Sequence, residues 1–141
     1  MVAAVTFGAA FIPVKSLDCP TWDVWVADQS GVPVPGATVR LICRNYSAEQ
    51  DSHRADVITD AQGHASFRPR TLSASLARRV AVTLSSARAG VHASFGPHAQ
   101  VFAFGDGFEG FDVDKKRNSV VDWTGKPEHM ESRIVVASQK F

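Results

Sequence analysis

The chain is expected to fold as an all-β sandwich of about seven short antiparallel strands with at most one short helix, and three observations predict it. Apolar and polar residues alternate over short runs, so that Trp22, Val24 and Val26 share one face while Asp23, Trp25 and Ala27 share the other. Turn residues punctuate these runs at Asp28-Gln29-Ser30-Gly31 and at Asp60-Ala61-Gln62-Gly63, and three glycines mark a loop over Gly105–Phe111. The runs recur at roughly 8–12-residue spacing, as in antiparallel sandwiches.

Taken in order, Trp22–Ala27 is the first strand and turns at Asp28–Gly31. Pro33 and Pro35 cannot donate to a ladder, so 32–36 is an edge or a crossing. Thr38–Arg44 follows, with Val39, Leu41 and Cys43 facing one way and Thr38, Arg40, Ile42 and Arg44 the other. The polar stretch Ser47–Asp56 reads as a loop. Asp56–Thr59 and His64–Arg68 flank a tight turn, with Ala65 and Phe67 directed at the core. Thr71–Arg79 is the helical stretch, through Leu72, Leu76 and Val80. Arg79–Ser86 alternates as a strand, followed by Val91–Phe95 and Ala99–Phe104. Phe102 and Phe104 are assigned to the core. Asn118–Trp123 and Arg133–Ser138 complete the set.

Composition excludes several function classes. Lys plus Arg is 15 against 14 for Asp plus Glu, without a basic stripe, so neither nucleic acid nor an anionic membrane is an expected partner. Residues 1–14 carry no charge but are too short to span a membrane. The segment 1–19 reads as the remnant of a secretion signal, preceding a single sandwich domain over 20–141, in a secreted, periplasmic or cell-surface protein. Cys19 and Cys43 either pair as a disulfide or are two buried thiols. The five histidines, His53, His64, His92, His98 and His129, form no i,i+2 or i,i+4 pair, and no metal or cofactor is expected.

Two stretches carry a resemblance. Val26–Leu41 (VADQSGVPVPGATVRL) is similar to the opening of carboxypeptidase regulatory-like domains, and Thr59–Phe67 (TDAQGHASF) to their next turn. Phe102–Phe111 resembles the later strand and loop of that family. The resemblance covers roughly residues 20 to 138 and implies a seven-stranded immunoglobulin-like, prealbumin-like sandwich. It further implies a non-catalytic module for binding or structural support. Hydroxyisourate hydrolases and intradiol dioxygenases share a similar opening. The first need a His in the first strand and a terminal Tyr-Arg-Gly-Ser; the second need two Tyr and two His on iron. Here the first strand has no His and Tyr46 is the single tyrosine.

The functional expectation is therefore a monomeric, non-enzymatic module that meets a protein or carbohydrate partner through its loops. The glycine-rich loop supplies the binding residues Asp106, Phe108, Glu109 and Phe111. The alternative is a divergent transthyretin-like hydrolase using His64 or His92. A concave pocket with at least two converging titratable groups would favour an enzyme, and a flat face a binding module.

Overall fold

The computed structural model describes residues 8–88, 90 and 94–138. Its core lies between two sheets. One has five strands in the order β12(Ala137–Ser138), β8(Phe108–Phe111), β7(Pro97–Gly105), β3(Thr38–Asn45) and β4(His53–Ile58). The other has three, β11(His129–Val135), β2(Thr21–Ala27) and β5(His64–Phe67). Strict alternation makes β2 and β3 the inner walls. Trp22, Val24 and Val26 from β2 meet Val39, Leu41 and Cys43 from β3, with Ala99, Val101 and Ala103 from β7 beside them. The all-β sandwich class holds.

The detail departs from seven antiparallel strands. β11 runs parallel to β2, pairing Ser132 with Val24 and Ile134 with Val26. Short ladders also form at the margins, between β9(Val113–Asp114) and β10(Ser119–Val120). The chain before Trp22 belongs to the fold: β1(Pro13–Cys19) pairs with β6(Arg70–Ser75), and Cys19 is joined to Cys43 of β3 by a disulfide, with 5.9 Å between Cα atoms. Residues 71–75, expected to be helical, are thus strand. The helix is α1(Leu76–Ala87), which takes over the segment expected to be a strand. Ser75 starts it by accepting the Arg78 amide at 3.2 Å. The apolar positions 76, 80 and 84 fit a helix as well as 80, 82 and 84 fit a strand, so periodicity alone could not separate the two.

The motif residues have local work. The Asp28 carboxylate accepts the amides of Ser30 and Val32 at 2.8 and 3.0 Å, and Asp60 accepts those of Gln62 and His64, both at 2.9 Å. Thr59 Oγ1 accepts the Ala37 amide at 2.9 Å and donates to the Val34 carbonyl at 2.8 Å, fastening the proline segment. Gly63 has φ +72°, and a Cβ there would lie 2.5 Å from the Val26 carbonyl oxygen. These are turn and clasp requirements that many sandwiches share. Among the described residues no helix is long and apolar enough to cross a membrane.

Candidate functional site

β3 and β7 pair antiparallel with Arg44 opposite His98, Ile42 opposite Gln100 and Arg40 opposite Phe102. Their neighbours in sequence fill the core, so these side chains line the outer face of the five-stranded sheet. At the start of β7 the neighbouring edge is taken by Trp123, bonded both ways to the Ala99 backbone at 2.9 and 2.8 Å. Trp123 is buried and its indole N–H donates to the Pro127 carbonyl at 2.6 Å. That anchor brings Asp122 beside His98: the ring Nδ1 lies 2.7 Å from Asp122 Oδ2. His98 Nε2 lies 3.1 Å from the Phe95 carbonyl oxygen. Acceptors thus face both nitrogens, and the ring satisfies both only when it carries both protons.

Tyr46 closes the other side. Its amide donates to the Gly96 carbonyl at 2.8 Å, its ring meets His98 edge-on at 5.2 Å, and the Arg44 guanidinium lies over it at 4.5 Å. Arg44 Nε is buried and has no hydrogen-bond partner among the described residues. A guanidinium keeps its protons at any ordinary pH, so that N–H remains a donor seeking an acceptor. Arg44, Tyr46, His98 and Asp122 enclose a cleft of about 330 Å³.

Further along the same face runs an aromatic strip. Phe102 and Phe104 lie 5.8 Å apart between ring centres, as do Phe102 and Phe111, and Arg40 sits 5.1 Å above Phe104 while bonding Asp56 twice at 2.7 Å. Phe102 and Phe104 are therefore outward, not core, because Val101 and Ala103 hold the inward positions of β7. The four expected binding residues divide. Glu109 and Phe111 belong to this face and Asp106 to the turn at its tip. Phe108 turns inward, filling the space a side chain at Gly105 would need and packing on the core. What read as a loop is a tight β-hairpin.

The outer face of the three-stranded sheet carries a second histidine group. Asp23 bonds His64 Nε2 at 2.9 Å through one oxygen and His129 Nε2 at 2.7 Å through the other. Burial opposes ionisation of Asp23, but bonds from Ser66, His64 and His129 outweigh it and hold the carboxyl below its ordinary range. The Trp25 ring lies tilted 4.9 Å from that of His64, and Arg133 lies 5.6 Å over Trp25. His64 thus ties β2 to β5 through Asp23. His92 lies outside the described residues.

A third charged group is buried beside the disulfide. Arg70 bonds Glu49 at 2.6 Å and also bonds Asp18, which is fully buried. Burial, reinforced by Glu49 and opposed by Arg70, pushes the Asp18 carboxyl up to about 6. Asp18 Oδ1 has no partner among the described residues.

No protein-family model and no curated protein matches the chain. Solved structures that match it include chlorocatechol 1,2-dioxygenase from Pseudomonas putida (12% identity, 85% of this chain and 60% of that one, TM-score 0.47). Another is 3-chlorocatechol 1,2-dioxygenase from Rhodococcus opacus 1CP (16%, 89% and 62%, TM-score 0.49). A third is catechol 1,2-dioxygenase from Acinetobacter radioresistens (14%, 86% and 53%, TM-score 0.43). The chain spans less than two thirds of each. These matches are to dioxygenases, not to carboxypeptidase regulatory-like domains, and no family model supports the latter. The assignment to that family and the description as a non-catalytic module are corrected accordingly. At such low identity the likeness concerns the course of the backbone and transfers no activity.

An intradiol iron centre does not fit these residues. It needs two tyrosines, and Tyr46 stands alone. Among the described residues, the His, Cys, Asp and Glu atoms close enough to share an ion are those of Asp18, Cys19 and Cys43, and the two sulfurs are bonded to each other.

Sequence reasoning named His98 among the histidines, Tyr46 as the single tyrosine and Arg44 as an outward strand residue without giving any of them a role, and passed over Asp122. The available signal was the outward set Arg40, Ile42 and Arg44 on an otherwise apolar strand, which puts two cations on a sheet face. Asp122 had no such signal, since its approach to His98 depends on the Trp123 bridge.

Proposed function

We propose that the cleft at Arg44, Tyr46, His98 and Asp122 is an acid–base catalytic site for a small anionic substrate. The observation that carries this is the convergence, in one concave site, of an Asp-bonded histidine and a buried arginine N–H unmet among the described residues. Arg44 supplies the acceptor-seeking group that a carboxylate or other oxyanion meets. His98, oriented through Nδ1 by Asp122, moves a proton at Nε2 once the substrate displaces the Phe95 carbonyl contact. Proton transfer of this kind is worth about 10²–10⁴-fold.

The aromatic strip is the natural rest for the remainder of a longer substrate. Arg40 and Arg44 are four residues apart on one strand, roughly 13 Å. Phe102, Phe104 and Phe111 form its floor, with Glu109 and the Asp106 turn at its end. The Cys19–Cys43 bond supports an oxidising compartment for the protein.

The test is turnover of a panel of small carboxylates, esters and lactones followed by mass spectrometry. Wild type should consume at least one, His98→Gln should lower kcat by about 10²–10⁴ with little change in KM, and Arg44→Met should act mainly on KM. Full turnover by His98→Gln would sink the proposal. So would a panel that is neither consumed nor able to shift the amide resonances of His98 and Gln100.

A further inference from the structure

Helix α1 presents its apolar side to solvent. Leu76, Val80 and Leu84 form one i,i+4 stripe and are 56%, 50% and 63% exposed, whereas Val82, on the opposite side, is buried against the body. Beside the helix start, the Ala10 carbonyl accepts the Ala77 amide at 3.0 Å, which sets the exposed Phe11 and Ile12 next to the stripe. Arg79 ties the helix to β1 through the Val14 carbonyl and Ser16 hydroxyl at 3.2 and 2.8 Å. Among the described residues nothing covers this surface.

Charge indicates what does. Residues 1–17 and 61–105 contain Lys15, Arg68, Arg70, Arg78, Arg79 and Arg88 and no Asp or Glu, in a chain whose net charge is +1. The β1–β6–α1 arm holds Lys15, Arg70, Arg78 and Arg79, with Arg88 at the helix end, against the single acid Asp18, which is buried on Arg70; the arm is net basic and the rest of the molecule net acidic. Two acidic groups, Glu49 and Asp51, share a cleft with Arg78 and the buried Val82, on the side of the helix away from the stripe. Two copies meeting through α1 would oppose basic helices to each other, a like-charge pairing. An anionic lipid surface instead accepts both the apolar stripe and its cationic flank.

We infer that the α1 arm docks peripherally on anionic membranes, with Leu76, Val80, Leu84, Phe11 and Ile12 entering the interface and Lys15 and Arg88 meeting headgroups. The test is co-sedimentation of the full chain with vesicles of phosphatidylcholine alone or with about a third phosphatidylglycerol, at low and high salt. Binding should be at least about tenfold tighter to the anionic vesicles and should weaken in high salt. Val80→Asp with Leu84→Asp should abolish it. Lys15→Glu with Arg88→Glu, both exposed and distant from the core, should weaken it by roughly fivefold or more per residue, and this pair keeps the test valid if the apolar variant unfolds. Equal retention by both lipids, or none, overturns the inference. A concentration-dependent dimer that Val80→Asp dissolves, without vesicle binding, also overturns it and makes a second copy the occupant.

Discussion

Cys43 and Arg44 are adjacent on β3 and face opposite sides, and each lies beside an arginine-centred cluster. Inward, past the disulfide, Arg70 holds Asp18 and Glu49; outward, Arg44 stacks on Tyr46 near His98 and Asp122. Each cluster contains one buried atom without a partner among the described residues, Asp18 Oδ1 in the first and Arg44 Nε in the second. The two are resolved differently. A carboxyl can take up a proton, and Asp18, its pKa raised to about 6, does so as the solution turns mildly acidic. A guanidinium cannot lose one, so Arg44 stays charged and open to an acceptor. The first cluster is closed by the protein and serves stability. The second, on the proposed reading, is completed by a ligand and serves function.

Five outcomes would break or sharpen that contrast. The largest falls at the open cluster, where His98→Gln should raise the barrier by about 3–5 kcal/mol, corresponding to its proton-transfer role, with the urea midpoint unmoved. Next, Arg70→Ala should destabilise by about 3–5 kcal/mol, because it leaves the buried Asp18 beside Glu49 without its counter-ion; Arg44→Met should leave the unfolding free energy unchanged or raise it. If both arginines cost the same in urea, the contrast collapses.

Cys19→Ala with Cys43→Ala should cost about 3 kcal/mol, read from denaturant unfolding and insensitive to substrate. The closed cluster should also show in pH dependence. Asp18 has a native pKa of about 6, above the roughly 3.9 of an unfolded chain. The native state therefore keeps a proton that the unfolded state releases, and this contribution is lost as pH rises through about 6. Unfolding free energy should increase by about 1 kcal/mol from pH 7 to pH 5, and Asp18→Asn should flatten the trend. An unaltered slope in Asp18→Asn would contradict the assignment. The smallest effect belongs to His64→Gln, which should cost about 1 kcal/mol or less and leave turnover intact, as befits a histidine outside the cleft.

Much of the sandwich was legible because alternation is a local property. Trp22, Val24 and Val26, then Val39, Leu41 and Cys43, announce their inward faces without reference to anything distant, and Gly31 and Gly63 mark turns by their own backbone freedom. Where two local patterns coincide, legibility ends. Leu72 to Leu84 satisfies both periods, and the choice between strand and helix followed from β1 claiming residues 70–75 as its partner. Phe102 and Phe104 misled for a related reason: large aromatics favour the core on average, yet the register with Val39 and Leu41 reserves the inner positions for Ala103 and Val101.

By itself the sequence determined the all-β class, the faces of the central strands and the turns, since these depend on neighbours one to four residues apart. It could not determine that β11 lies parallel to β2, that one arm of a nearly neutral chain is net basic, or that Asp122 reaches His98 across 24 residues. The family motifs misdirected it, because a proline clasp and two tight turns are requirements of strand crossing and not of chemistry. Sites depend on which outward side chains distant segments bring together, and only the tertiary pairing of β3, β7 and the Trp123 bridge decided that.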